Sequence, residues 1–396
     1  MLCKTYVISS NRSPILAQVL ALGVSAKLSY NPMTSKIAKR IAADTGIPNL
    51  ASVLQGLPAS DLQSLLMDVY QSRTAALSVP DILRGASRDL LQSSKIDARL
   101  FNTFDRVAFE TAREFEAIEL APVCSLGLNR VLGAIGQNSV LTTIRNAEVL
   151  GDATMPMAVE CWRRRKDSSR RSDPTAVRLA SSHRVVRLQP FDIPGHVPHF
   201  RLFSMVTAGR DTGSLAFEIQ HLGEHIRFYL RLFRELSAHG FHFASPLVEI
   251  SDTGVIRGLL AAHGVSSDEL HDSIRAHRPG GSEQFLAERG ITLPNAIEDP
   301  AGMERLARLK SGLLEALQVE FPEAQFRFNL ARLEGLSYYK GFCLRISPEA
   351  PDGARYPVAD GGFTDWTARL LQNKKERLLT SGIGTEFVCF RYRTVQ

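Results

Sequence analysis

Apolar residues recur every three or four positions through most of the first hundred residues. SPILAQVLALGV (13–24) and SKIAKRIAADTGI (35–47) carry that spacing, and Gly23 and Gly46 fall where such helices stop. SDLQSLLMDVYQSRTAAL, from Ser60 to Leu77, is the clearest helical pattern, with Ser60 as cap and Asp61 in the first turn. Its apolar stripe predicts a core-facing side. From about residue 101 the texture changes. FNTFDRVAFETAREF predicts an amphipathic helix, and FEAIELAPVCSL a strand ending at Pro122. AVRLASSHRVVRLQPF and HFRLFSMVTAG predict two strands joined by the loop DIPGHVP. LAFEIQHLGEHIRFYLRLFRELSAHG predicts a long helix stopped by Gly240, and PLVEIS a further strand. Residues 252–325 turn helical again, interrupted by HRPGGS. The remainder predicts strands at FRFNLARLEG, YYKGFCLRIS and ARYPVADGG, a helix at FTDWTARLLQNKKERLL, and a final SGIGTEFVCFRYR. Strands in hairpins with helices between them indicate an α+β fold on an antiparallel sheet. A doubly wound parallel sheet is disfavoured, because no Gly-rich turn joins an early strand to a helix.

Composition narrows this picture only slightly. The 396 residues are 44% hydrophobic and 22% charged, which is ordinary for a folded chain with a large core. The 47 basic and 41 acidic residues give a net charge of +6. Much of the excess sits in WRRRKDSSRRSD, Trp162 to Asp173, where six of twelve residues are cationic. That run is a solvated loop or an arm for phosphate or nucleic acid. Cys3, Cys124, Cys161, Cys343 and Cys389 are scattered and form no CxxC, which predicts reduced thiols in a cytoplasmic protein without a disulfide frame or zinc site. No apolar run approaches the ~18–20 residues of a membrane helix, and the polar N-terminus does not match a secretion signal. His221, Glu224 and His225 share one helix, but their order is not that of a zinc-protease helix, so no metal is expected there.

Six segments carry the candidate chemistry. FDRVAFETAREF leads into FEAIELAP. In GDATMPMAV, Asp152 and Thr154 either cap the following helix or place a carboxylate opposite an ammonium group. In VVRLQPFDIPGHVPHFRLF, Arg187 ends the first strand, Gln189 follows, and His199-Phe200 opens the second. In LEGLSYYKGF, Gly335 and Gly341 flank Tyr338 and Tyr339. ADGGFTDW holds Gly361 and Gly362, and SGIGTEFV ends in Glu386 and Phe387.

In this order the six segments, from about 101 to 390, resemble the catalytic core of class II aminoacyl-tRNA synthetases in their histidyl branch. The resemblance implies a class II synthetase-like antiparallel sheet flanked by helices over 101–396. A helical insertion at about 252–325 and a mostly helical region over 1–100 complete the organisation. It implies that the first segment is motif 1, a dimer-forming element that suggests a homodimer. Asp152 and Thr154 match the positions that read the amino group of histidine, and Arg187 matches the motif 2 arginine that grips the α-phosphate of ATP. Gln189 replaces a glutamate, and His199 an acid. Tyr338 and Tyr339 match the paired tyrosines of the histidine pocket, and Gly361 and Gly362 its glycine wall.

Two departures bear on activity. Glu334 stands where the branch has its catalytic arginine, and Phe387 where motif 3 has the arginine that binds the γ-phosphate. A carboxylate at 334 opposes a triphosphate by several kcal/mol unless it is paired or solvated. Arg332, two residues earlier in an extended segment, points to the same side as Glu334 and can pair with it or reach into the site. No C-terminal anticodon-binding domain follows the last segment, as a tRNA-charging member would have.

The resemblance therefore implies a non-charging paralog, similar to the regulatory subunit of the short-form ATP phosphoribosyltransferase. Such a protein senses an amino-acid-like ligand, with histidine the first candidate, and acts on a catalytic partner protein. The first hundred residues depart from that family. Two alternatives stand beside it. One is an adenylating ligase using ATP with magnesium on a non-tRNA acceptor. The other is a nucleic-acid-binding accessory protein, which lacks the aromatic-plus-basic pattern of single-strand binders.

Overall fold

Residues whose side chains alternate between two buried surfaces build a central sheet. The computed structural model describes residues 36–86, 88–166, 175–188, 194–266, 281–291 and 300–394. The stretches 13–24 and 167–174, Gln189 and most of HRPGGS lie outside them. The chain divides into two compact units, Met1–Val69 and Tyr70–Gln396.

Among the described residues, helices α1 (Lys36–Thr45), α2 (Leu50–Gly56) and α3 (Ala59–Ala75) come first. The apolar stripe of α3, expected in a core, is not covered: Leu65, Val69 and Tyr70 are exposed and no α3 side chain is buried. After α4 (Val79–Ala86), α5 (Ala98–Thr111) is capped by Asp97, whose carboxylate accepts from the Arg99 N–H. Its Phe101, Phe104, Val107 and Ala108 recur at helical spacing and are buried.

The strand expected up to Pro122 is instead divided. Only β1 (Glu116–Ala117) pairs with the main sheet. β2 (Val123–Ser125) lies beyond the proline and pairs with β3 (Ala147–Val149). Proline has no N–H for a ladder, so the chain changes partners there. Helix α6 (Leu128–Gly133) lies between β2 and β3, and α7 (Thr154–Arg165) follows β3. β4 (Val177–Val186) and β5 (His199–Arg210) form the expected hairpin. α8 (Ala216–Ser237) and β6 (Ala244–Asp252) follow.

Beyond β6 the chain is helical: α9 (Thr253–Ala262), α10 (Gly281–Glu288) and α11 (Pro300–Leu309). A π-helical turn, Lys310–Leu314, then leads into α12 (Glu315–Glu320). FRFNLARLEG yields only β7 (Gln325–Phe328) before the chain leaves the sheet. β8 (Tyr339–Glu349) and β9 (Ala359–Thr364) return. The long helix expected at 363–379 is short, α13 (Trp366–Leu370), because β10 (Glu376–Gly384) takes its second half. Leu378 and Leu379 are both fully buried on opposite faces, which suits a central strand. α14 (Thr385–Arg391) ends the fold.

The eight-stranded sheet has the order β1-β4-β5-β10-β9-β8-β6-β7. All neighbours are antiparallel except the outermost pairs, β1/β4 and β6/β7. One face packs α5 and α8 on Phe203, Met205, Phe342, Phe363 and Leu379. A buried chain of hydrogen bonds crosses that interface. Tyr229 Oη donates to Ser381 Oγ at 2.7 Å, Ser381 Oγ meets His225 Nδ1 at 2.8 Å, and His225 Nε2 meets Thr207 Oγ1 at 3.0 Å. One neutral imidazole serves the two links to His225, as donor on one nitrogen and acceptor on the other, and burial drives its pKa down to about 3. Where β4 begins, the opposite face is covered by α7 and α13 on Leu179, Val206, Ala208 and Leu378. Its other half carries the candidate site. Among the described residues no helix is long and apolar enough to cross a membrane.

Candidate functional site

The turn between β3 and α7 positions Asp152. Its Oδ1 accepts from the Thr154 N–H at 2.8 Å and the Thr154 hydroxyl at 2.7 Å, so it fixes the start of α7. Its Oδ2 faces Arg187 Nη2 at 3.3 Å. The two readings of this carboxylate, cap and charge partner, are thus both realised on different oxygens. Arg187 continues the β4 ladder, its N–H donating to Pro198 O at 2.8 Å. Its Nε donates to Gly151 O at 2.8 Å, and its guanidinium lies 5.2 Å from the Phe200 ring. Arg187, Asp152 and Phe200 therefore share one face.

The 329–338 segment brings in the second half. Gly335 has φ +84°, and a Cβ there would lie 2.5 Å from the Tyr339 ring. Only glycine allows this turn and close approach, which sets Tyr338 against Tyr339 with centroids 4.4 Å apart and ring planes tilted by 59°. Tyr339 Oη donates to Asp360 Oδ1 at 2.7 Å. Among the described residues the Tyr338 hydroxyl has no hydrogen-bond partner, although it lies within electrostatic reach of Asp360, Arg332, Asp152 and Arg187. Burial first, and the Asp360 charge after it, push its pKa up, so it stays protonated at neutral pH.

Arg332 is 3% exposed. It donates to Asp360 Oδ2 at 2.5 Å, to Leu344 O at 2.9 Å and to Glu334 O at 3.3 Å. Burial alone would lower its pKa, but the attraction of Asp360 prevails and raises it. Glu334 takes Arg345 instead, at 3.5 Å, and Arg345 also lies 3.8 Å from Asp360. Three arginines on this face, Arg187, Arg332 and Arg345, thus meet three carboxylates, Asp152, Glu334 and Asp360.

Gly362 belongs to the same face: a Cβ there would come within 2.6 Å of Cys343 Cβ and 2.7 Å of the Tyr339 ring. The floor toward β4 includes Ser181 and Ser204, paired across β4 and β5. Both hydroxyls are buried without a hydrogen-bond partner.

Other expected residues lie elsewhere. Gly361 faces the α8 side, where a Cβ would strike Ser381 Cβ at 2.5 Å. His199 also faces away from Arg187. Its ring contacts Arg184 Nη1 at 2.9 Å and Gln92 O at 2.6 Å, and Arg184 in turn binds Glu386 at 2.9 Å. Strand alternation explains the separation: His199 and Phe200 are adjacent, so only one can join Arg187. Gln189 lies outside the described residues. Phe387 packs on His196 and Tyr356, with centroids at 4.7 and 5.5 Å, and leaves an apolar contact where an arginine was sought. Asp360 and Arg345 were not anticipated. Their signal was the alternation of ADGGFT, which puts Asp360 on the Gly362 face, and the register that sets Arg345 opposite Asp360.

The described part of the basic run is largely neutralised. Arg163 and Arg164 pair with Glu160, Arg164 also with Glu116, and Arg165 with the buried Glu376 at 2.7 Å. Lys166 lies over the Trp162 ring.

No protein-family model matches the chain, and no curated protein does. Solved structures do share the fold. A histidine–tRNA ligase subunit from Alicyclobacillus acidocaldarius superposes with a TM-score of 0.55 at 14% identity, over 76% of this chain and 95% of that one. An ATP phosphoribosyltransferase regulatory subunit/histidyl-tRNA synthetase from Bacillus halodurans gives 0.54 at 14%, over 76% and 82%. Histidyl-tRNA synthetase from Nostoc gives 0.52 at 16%, over 76% and 73%. The chain has the class II synthetase-like fold of these histidyl-tRNA synthetase-like proteins.

Proposed function

We propose that the chain binds a small amino-acid-like molecule on the Asp152–Tyr338 face without adenylating it, and serves as an accessory or regulatory subunit. The observation that carries this reading is the charge balance of the face. A triphosphate needs an excess of positive charge held in place. Here each of the three arginines already meets a carboxylate. What the face offers is the Tyr338 hydroxyl and the Asp152 carboxylate, groups that suit an ammonium. The Bacillus halodurans protein of the same fold, described as a regulatory subunit/histidyl-tRNA synthetase, supports the accessory role. A homodimer and a catalytic partner protein belong to the same proposal. The pairing of Arg163, Arg164 and Arg165 with acids weighs against a nucleic-acid arm on α7.

The test is a thermal-shift screen with the twenty amino acids, each with and without ATP and magnesium. Histidine is tested first. The expected result is a rise in melting temperature with one amino acid alone. Asp152→Asn keeps the helix cap while removing the charge, and Tyr338→Phe removes only the free hydroxyl. Both are expected to weaken the response while circular dichroism stays unchanged. A response that requires ATP establishes a ligase and overturns the proposal, as does no response to any amino acid.

A further inference from the structure

A cavity of about 640 Å³ lies at the end of the sheet where β8 starts and β9 ends. Four cations and four carboxylates line it, and burial separates the two sets. Glu218, Asp252 and Glu376 are only 9%, 1% and 3% exposed. Each is held by an arginine: Glu218 by Arg377 at 3.0 Å, Asp252 by Arg305 at 2.9 Å and Glu376 by Arg165 at 2.7 Å. Asp365 is the more accessible carboxylate of the lining, and it faces Arg369 at 3.7 Å. The accessible groups are otherwise cationic. Lys340 and Lys374 are exposed, and among the described residues neither makes an ion pair. The Arg305 side chain is 40% exposed and meets Asp252 through Nε, so among the described residues its two Nη groups have no hydrogen-bond partner.

Beyond the lining the balance tips further. The partners and neighbours of these groups add Arg165, Arg257 and Arg369 but a single carboxylate, Asp211, which shares Arg377 with Glu218. The region therefore holds seven cations against five carboxylates. Lys340 registers the crowding. Burial first, and then the like charge of Arg257, lower its pKa; Arg369 acts the same way, against the pull of Asp365. Like charges gathered around an open cavity raise its potential, and a bound anion relieves them.

We infer that this cavity binds a small dianion, of the class of phosphate monoesters and dicarboxylates. The ligand meets Lys340, Lys374 and the free Nη groups of Arg305. Ammonium and guanidinium groups serve either anion through charge-assisted hydrogen bonds. The buried carboxylates stay with their own arginines and hold the cationic wall in place. The cavity opens at the far end of the sheet from the Arg187 loop, and the inference does not depend on the ligand proposed there.

The probes are methyl phosphate and succinate, titrated calorimetrically into the full chain at about pH 8, where a phosphate monoester carries two charges. Dimethyl phosphate, with one charge, is the control. At least one dianion is expected to bind about tenfold tighter than dimethyl phosphate, and the tighter of the two identifies the anionic group. The double variant Lys340→Ala/Lys374→Ala is expected to weaken that binding about tenfold, since each lysine supplies an exposed charge contact. Raising the salt from about 0.05 M to about 0.5 M is expected to weaken it in wild type as well. Absence of saturable binding of both dianions below about 10 mM overturns the inference. So does equal affinity for dimethyl phosphate. The lysine variant replaces only exposed side chains and keeps every buried ion pair, so the fold is retained, and unchanged affinity there is equally fatal.

Discussion

Replacing Asp360 by alanine removes the carboxylate that holds the core of the Tyr338 face. Arg332 is 3% exposed, and its two remaining partners are the carbonyls of Leu344 and Glu334. Removing one partner of a buried ion pair costs about 3–5 kcal/mol, because the other charge stays buried. Tyr339 also loses its acceptor, which adds about 1 kcal/mol. The Glu334 side chain is 39% exposed and tied to Arg345 only at 3.5 Å, so it can turn toward Arg332 and recover part of the loss. The expected net cost is about 3–4 kcal/mol. At about 2.1 cal/mol/K per residue over the second compact unit, that corresponds to a fall of about 5 °C in melting temperature. The converse change, Arg332→Met, is milder. It leaves Asp360, which is 40% exposed and can be rehydrated. The double variant should then be more stable than Asp360→Ala alone. Urea unfolding followed by circular dichroism measures all three, with shifts in midpoint at constant slope. If the two single costs simply add in the double variant, Arg332 and Asp360 are not coupled and the argument for an internally satisfied face fails.

The buried His225 predicts a pH dependence. Its pKa is about 3 in the folded chain and ~6.5 when unfolded, so only the unfolded chain takes the proton between those values. Stability should therefore fall by about 1.4 kcal/mol per pH unit as pH drops below ~6.5. His183 and His196 are shifted in the same direction. His225→Gln should flatten the slope in urea titrations at pH 7, 6 and 5, and equal slopes would refute the assignment. Gly361→Ala places a methyl 2.6 Å from Thr380 O and 2.9 Å from Ser381 Cα, backbone that cannot step aside. It should cost about 2–3 kcal/mol in the same assay. Gly258→Ala, in α9 with nothing within 4 Å of the new methyl, should be neutral or stabilising by up to about 1 kcal/mol.

The alternation of apolar residues in VRLASSHRVV and HFRLFSMVTAGR is what made β4 and β5 readable, and the 3.6-residue spacing of Phe101, Phe104 and Ala108 did the same for α5. The second half of 363–379 was misread because KKERLL has two adjacent leucines and charged neighbours, a pattern shared by a helix turn and a strand buried on both faces. Its register against β5 and β9 decides the matter, and that is a long-range fact. Within the site, Tyr338, Asp152 and Arg187 were legible as residue types at motif spacing. The partner of Arg332 was not, because Asp360 is 28 positions away and the pairing depends on a turn that Gly335 permits. His199 was placed on the wrong side of β5 by one residue, the smallest error a strand allows and one that reverses the face.

The two outermost strands are the shortest in the main sheet, β1 with two residues and β7 with four, and each runs parallel to its neighbour. A row of free backbone N–H and C=O groups on a long flat edge invites another chain to extend the ladder. Here the marginal strands are themselves short, β1 lying only against Leu179 and Ala180 of β4 and β7 only against Leu247–Ile250 of β6. Each marginal strand by itself thus offers another chain only a short ladder to extend.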